Sequence, residues 1–163
     1  MKTILYKERL SEKERRNLDI LEAIRKAGRI SRSDISKITG FNIVTVSNYL
    51  NEYIKKGLVF ESGLDVSTGG RKPELVELNP GYCYTIGIDC GPVHITEEAT
   101  MDAVLMDVTA KIIAKASMKK LNEEFGAMLE KVVALVKEVI KKSGVDKKKI
   151  YNIGLGIGGV LDR

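Results

Sequence analysis

Between residues 12 and 57 apolar positions recur every three to four residues in three separate runs, each opened by a polar residue and closed by a glycine. In "EKERRNLDILEAIRKA" Leu18, Leu21, Ile24 and Ala27 fall at helical spacing. Ser11 can cap that helix, with Glu14 as its capping-box partner, and Gly28 ends it. "SRSDISKIT" predicts a second helix capped by Ser31, with Asp34 in its first turn, Ile35 and Ile38 facing inward, and Gly40 as the stop. Asn42 can cap a third helix with Val46, Tyr49, Leu50, Tyr53 and Ile54 inward, which leaves Ile43, Thr45, Ser47, Asn48 and Asn51 outward, wholly or in part. Lys55 and Lys56 suit its C-terminus before Gly57.

The period then changes from about four to two. Leu58 to Glu61 and Leu75 to Leu78 predict two short strands around a loop broken by Gly63, Gly69, Gly70 and Pro73. Asn79, Pro80 and Gly81 punctuate a boundary. Beyond it "YCYTIGIDC", "MDAVLMDV" and "AKIIAKASM" predict three strands, the latter two as an antiparallel pair. Residues 121–143 predict an amphipathic helix with Leu129, Val132, Val133, Val136 and Ile140 on one face. "DKKKIYNIGLGIGGVLD" predicts a solvated basic loop, a fourth strand and a glycine-rich turn. Four strands and one helix are too few to cover both faces of a sheet.

Two domains follow, 1–80 and 81–163. No run approaches bilayer length, and "MKTILYKERLSEKERR" turns charged at once, so a cytoplasmic location is expected, with no membrane partner. The net charge of +5 is uneven: residues 1–80 hold 15 Lys/Arg against 11 Asp/Glu, residues 81–163 hold 12 against 11. The excess positive charge lies in the helical half, which suits a polyanion. Cys83 and Cys90 are expected as reduced thiols, since His94 is the lone histidine and too few ligands surround them for a metal.

"SRSDISKITGFNIVTVSNYLNEYIKKG" has the spacing of a helix-turn-helix, in which one helix is propped so that its N-terminal end enters the major groove. The outward residues are small or polar. Asn can pair with adenine, Ser and Thr can reach bases or phosphates, and Ile43 or Val44 can touch thymine methyls. A helical hairpin without a DNA role would more often show long Glu and Lys side chains there. Ser31 and Arg32 can set the second helix against a phosphate, although Arg32 is equally read as a surface residue. The loop "STGGRKPE" offers Arg71 and Lys72, either to a narrow minor groove or to phosphates from a solvated linker.

"ISRSDISKITGFNIVTVSNYLNEYIKKGLVFESG", followed by "GGRKPELVELNPGYCYTIGID", resembles the N-terminal half of ROK-family (repressor, open reading frame, kinase) transcriptional regulators of the xylose-repressor type. The features recurring in order are the "SR" helix start, "TVS", "GLV", "GGRKP", "LNP" and a strand ending "GID". They cover residues 15 to 91 closely and the remainder loosely. The resemblance implies α/β architecture with an all-α plus wing N-terminal domain: a winged helix-turn-helix, then a partial actin-like, ribonuclease-H-like lobe. It implies a repressor of carbohydrate genes that binds a two-fold double-stranded operator as a homodimer, with a sugar effector held between two lobes in full-length relatives. Base contacts fall on Asn42, Ile43, Thr45, Ser47 and Asn48; phosphate contacts fall on Arg32, Lys55, Lys56 and the wing.

The rival reading from that family is an ATP-dependent sugar kinase. Family kinases carry Asp-x-Gly-Gly-Thr in the phosphate loop. Here Asp89 and Gly91 remain as a vestige, but Pro92, Val93 and His94 replace the rest, and Pro92 removes a backbone N–H from a loop that must donate them. Residues 92–101 look about six residues longer than that hairpin needs, and Glu97 and Glu98 add charge hostile to phosphate. The family's later catalytic aspartate segment, its zinc motif and its second lobe do not appear. A truncated lobe with no enzyme activity, no complete sugar pocket and no cofactor is the expectation.

Overall fold

The computed structural model describes residues 10–64, 73–92, 96, 98–122 and 124–158. The chain divides into two units, residues 1–79 and 80–163.

The first unit opens with α1 (Glu12–Ala27), whose capping box is formed: the Ser11 N–H donates to Glu14 at 2.8 Å and the Ser11 hydroxyl accepts from the Glu14 N–H. Its buried face is Ile20, Ala23 and Ile24. Leu18 and Ala27, expected inward, are exposed; the stripe is rotated by a fraction of a turn, because Ile20 and Ala23 rather than Leu18 face the neighbouring elements. Strand β1 (Ile30–Ser31) was not legible as a strand, being two residues long and held by pairing of Ile30 with Val76 and Ser31 with Leu75. Helices α2 (Arg32–Thr39) and α3 (Ile43–Lys55) follow, then β2 (Val59–Leu64) and β3 (Glu74–Leu78). These form one antiparallel sheet in the order β1-β3-β2, with a bulge between Glu61 and Gly63. The hairpin strands extend a few residues past the expected Leu58–Glu61 and one before Leu75.

Helix α2 packs against α1 and α3. Ile35, Val46, Leu50, Tyr53, Val59, Val76 and Leu78 complete the core. Ile38 does not join it: it is 65% exposed, which corrects the expectation that it faces inward. An eight-residue helix offers only two turns, and Ile35 fills the single inward position.

The second unit is a four-stranded sheet in the order β6-β5-β4-β7, built from β4 (Tyr84–Asp89), β5 (Thr100–Asp107), β6 (Ile112–Lys119) and β7 (Ile150–Gly156). Strand β7 runs parallel to β4 and the other pairings are antiparallel. Helix α4 (Phe125–Ser143) covers β5 and β6. The alternation of β5 places Met101, Ala103 and Leu105 under the helix, with Ile86, Ile88 and Ala116 beside them. On α4 the buried positions are Leu135 and Val139, flanked by Val132, Val136 and Ile140. Leu129 and Val133, assigned to the same face from the sequence, are exposed, and the helix starts at Phe125 rather than at residue 121. The basic run is a short 3-10 turn, Lys147–Lys149. Residues 151–156 of β7 are all exposed, including Ile153 and Leu155, because α4 lies over β5 and β6 and leaves β7 uncovered.

Candidate nucleic-acid interface

Three local devices hold α3 at a fixed angle on α2. Gly40 adopts the left-handed conformation (φ 73°) that ends α2 and turns the chain. The Ser36 hydroxyl donates to the Phe41 carbonyl at 2.6 Å and the Thr39 hydroxyl to the Ile35 carbonyl at 2.7 Å, so the turn's carbonyls have partners. The Arg16 guanidinium stacks over the Phe41 ring, 5.8 Å from its centroid, tying the turn to α1. On the inner side of α3, Val46, Leu50 and Tyr53 are buried. The Tyr53 hydroxyl donates to the Asn17 side chain, and burial pushes its pKa above the ordinary phenol value.

This clamp leaves the N-terminal end of α3 in the open. Asn42, Ile43, Val44, Asn48 and Asn51 are exposed; Thr45 and Ser47 are half-buried. Val44 is 65% and Ile43 45% exposed, an apolar pair standing in water at the mouth of a helix. Asn42 is the N-cap: its Oδ1 accepts from the Thr45 N–H at 2.7 Å. That acceptor is engaged inside the protein, so its Nδ2 is the part offered outward.

The remaining residues singled out from the sequence fall in different places. Ser31 is 1% exposed; its hydroxyl accepts from the Asp34 N–H at 3.1 Å and donates to the Asp34 carboxylate at 2.6 Å, so its side chain works as a buried cap. The Ser31 hydrogen bond and then Lys37 hold the Asp34 carboxyl below its usual range. Arg32 lies along α3 and β2 rather than pointing freely to solvent: Nη1 donates to Asn51 Oδ1 at 3.2 Å and to the Ser47 carbonyl at 3.5 Å, and Nη2 stands 3.7 Å from Glu61. Lys55 and Lys56 are exposed at the far end of α3, about 20 Å from Asn42 at the rise of an α-helix. Arg71 and Lys72 lie outside the described residues, as do His94 and Glu97. Asn51 was not singled out as a site residue; its place three residues after Asn48 is the signal that could have found it.

Asp89 and Gly91 belong to the second unit. The Asp89 carboxylate accepts from the Gly91 N–H at 2.9 Å, turning the loop back on itself. Gly91 has φ 76°, and a Cβ there would collide with the Thr100 carbonyl oxygen. Lys120 Nζ donates to the Pro92 carbonyl at 2.6 Å and the Gly91 carbonyl at 3.4 Å. Asp89 and the Gly91 and Pro92 carbonyls are thus engaged within the chain. Cys83 and Cys90 are free thiols, and burial raises both pKa values. No group of three or more metal-ligating side chains and no helix long and apolar enough to cross a membrane occurs among the described residues.

Residues 13–59 match the family described as winged helix-turn-helix DNA-binding. Over 136 residues the chain is 34% identical to the xylose repressor of Caldicellulosiruptor bescii, covering 82% of this chain and 32% of that protein. It is 27% identical over 144 residues to the xylose repressor of Bacillus subtilis, covering 88% of this chain and 36% of that one. A crystal structure of a ROK family transcriptional regulator, a homologue of the E. coli MLC protein, superposes with a TM-score of 0.60 at 16% identity, covering 88% of this chain and 35% of that chain. The chain spans about a third of the length of the curated relatives it matches.

Proposed function

We propose that the chain is a sequence-specific DNA-binding repressor of carbohydrate-utilisation genes of the ROK, xylose-repressor type, acting in the cytoplasm, a reading supported by its similarity to xylose repressors and by its winged helix-turn-helix match. The observation that carries this reading is the N-terminal end of α3. It is fixed from behind by Val46, Leu50 and Tyr53 and presents Asn42, Ile43, Val44, Thr45, Asn48 and Asn51 to the outside. That is the geometry of a helix whose first two turns meet base edges in the major groove. Lys55 and the wing residues Arg71 and Lys72 supply phosphate contacts in this reading. One such helix reads few base pairs, so the operator is two-fold and the binding species a homodimer. A sugar effector is part of this proposal.

The kinase reading is the weaker one, since the Gly91 N–H is taken by Asp89, the Gly91 and Pro92 carbonyls by Lys120, and Pro92 has no N–H to offer. Selection from a random duplex library, followed by salt titration on the enriched sequence, tests the proposal. A two-fold enriched site supports it; absence of binding at low salt defeats it. A coupled assay for ADP formation tests the rival.

A further inference from the structure

Arg32 is the first residue of α2, yet its side chain contacts two other elements. Nη1 reaches the Asn51 side chain and the Ser47 carbonyl on α3, and Nη2 approaches Glu61 on β2, the first strand of the wing hairpin. The side chain is 24% exposed. A guanidinium offers donors in a rigid planar fork and remains charged at any pH the fold survives, so it can serve three acceptors at once. Because it has no acceptor, the Asn51 amide must turn Oδ1 toward it, which leaves Nδ2 facing outward. We propose that Arg32 is a positioning residue: it locks the recognition helix to the wing strand and orients the Asn51 amide as a donor toward DNA, rather than meeting a phosphate itself.

This inference rests on the DNA-binding reading for its consequence but not for its contacts. A guanidinium shared between Asn51 and Glu61 has its charge partly neutralised within the protein. Recruiting it to a phosphate would leave Glu61, a carboxylate, beside the DNA without its partner. The fixed angle between α3 and the wing matters because major-groove and wing contacts must be made together.

The test uses the full chain and the site enriched by selection, with Arg32→Ala, Arg32→Glu, Glu61→Gln and the reversed pair Arg32→Glu/Glu61→Arg. Arg32→Ala should weaken binding roughly five- to tenfold, the scale of one or two lost hydrogen bonds, and leave the slope of log K against log salt unchanged. Glu61→Gln should weaken binding in the same direction, and the reversed pair should recover part of the affinity lost in Arg32→Glu. A fall in slope of about 0.9 with Arg32→Ala, together with unchanged or tighter binding by Glu61→Gln, would overturn the proposal, because that pattern marks a phosphate contact. Thermal unfolding of the same variants and of the double variant Arg32→Ala/Glu61→Gln gives a readout free of DNA. Non-additive losses for Arg32→Ala and Glu61→Gln support the lock even if the wild type binds no duplex; fully additive losses overturn it. Glu61 is 45% exposed, so Glu61→Gln leaves a folded protein to measure.

Discussion

Val44 exposes most of its side chain at the second position of α3, where no core contact requires a branched residue. Val44→Ala removes two methyl groups from that surface. A methyl buried against DNA is worth about 0.8 kcal/mol, so the loss on binding reaches about 1.6 kcal/mol, a little over tenfold in Kd. Folding stability should not fall: the site is exposed in the free protein, and Ala is the better helix former by about 0.6 kcal/mol. The assay pairs fluorescence anisotropy on the selected duplex with thermal unfolding. Replacing thymine by uracil removes the partner methyl without touching any hydrogen-bonding group, and should cost about fourfold at the contacted position. On that uracil duplex Val44→Ala should cost less than on thymine, because the two changes remove one contact. Equal affinity of Val44→Ala and wild type for the thymine duplex, or additive effects of the two changes, would refute the reading of Val44 as a thymine-methyl contact.

Asn42→Ala should lower stability by about 1 kcal/mol through the lost N-cap, whereas Asn42→Ser should keep stability and weaken only operator binding, since Ser caps as well but lacks the amide donor; chemical denaturation and anisotropy separate the two. Leu135→Ala, in the core of the α/β unit, should cost about 3 kcal/mol of that unit's stability, read as a lowered Tm. The Ser117 hydroxyl, and then Lys115 and Thr100, hold the Asp102 carboxyl below its usual range. Its stabilising contribution is therefore complete above the unfolded carboxyl value of about 3.9 and disappears as pH falls through the lower folded value. Asp102→Asn should flatten the acid limb of a stability-against-pH curve, and an unchanged limb would refute it. Asn48→Ala should weaken binding mainly at one base position, while Lys72→Ala should weaken it on all sequences and lower the salt slope by about one.

The helices of the first unit were legible because capping and stop residues are local chemistry. Ser11 with Glu14, Ser31 with Asp34, and Asn42 with Thr45 form the expected backbone caps, and Gly28, Gly40 and Gly57 take the positive φ that ends or follows each helix. The wing hairpin and the α/β order were legible from the change of period. The inward set of α3 was largely legible too, since Val46, Leu50 and Tyr53 recur at intervals of three and four. From that set the exposed end of the helix followed.

What the sequence by itself determined, then, is element type, element order and the residues offered at the start of α3, because each depends on neighbours within about four positions. Tertiary structure alone decided which of several apolar residues went inside. Ile38 against Ile35, Leu18 against Ile20, and Leu129 and Val133 against Leu135 and Val139 cannot be ranked without the partner surface, since a helix with apolar residues around half its circumference can turn several ways. It also decided β1, which exists only because Val76 and Leu75, forty-odd residues away, pair with Ile30 and Ser31. And it decided the place of Arg32, whose side chain is long enough to reach solvent, a phosphate or a carboxylate. Only the approach of Asn51 and Glu61, from elements 19 and 29 residues further along the chain, selects the last of these.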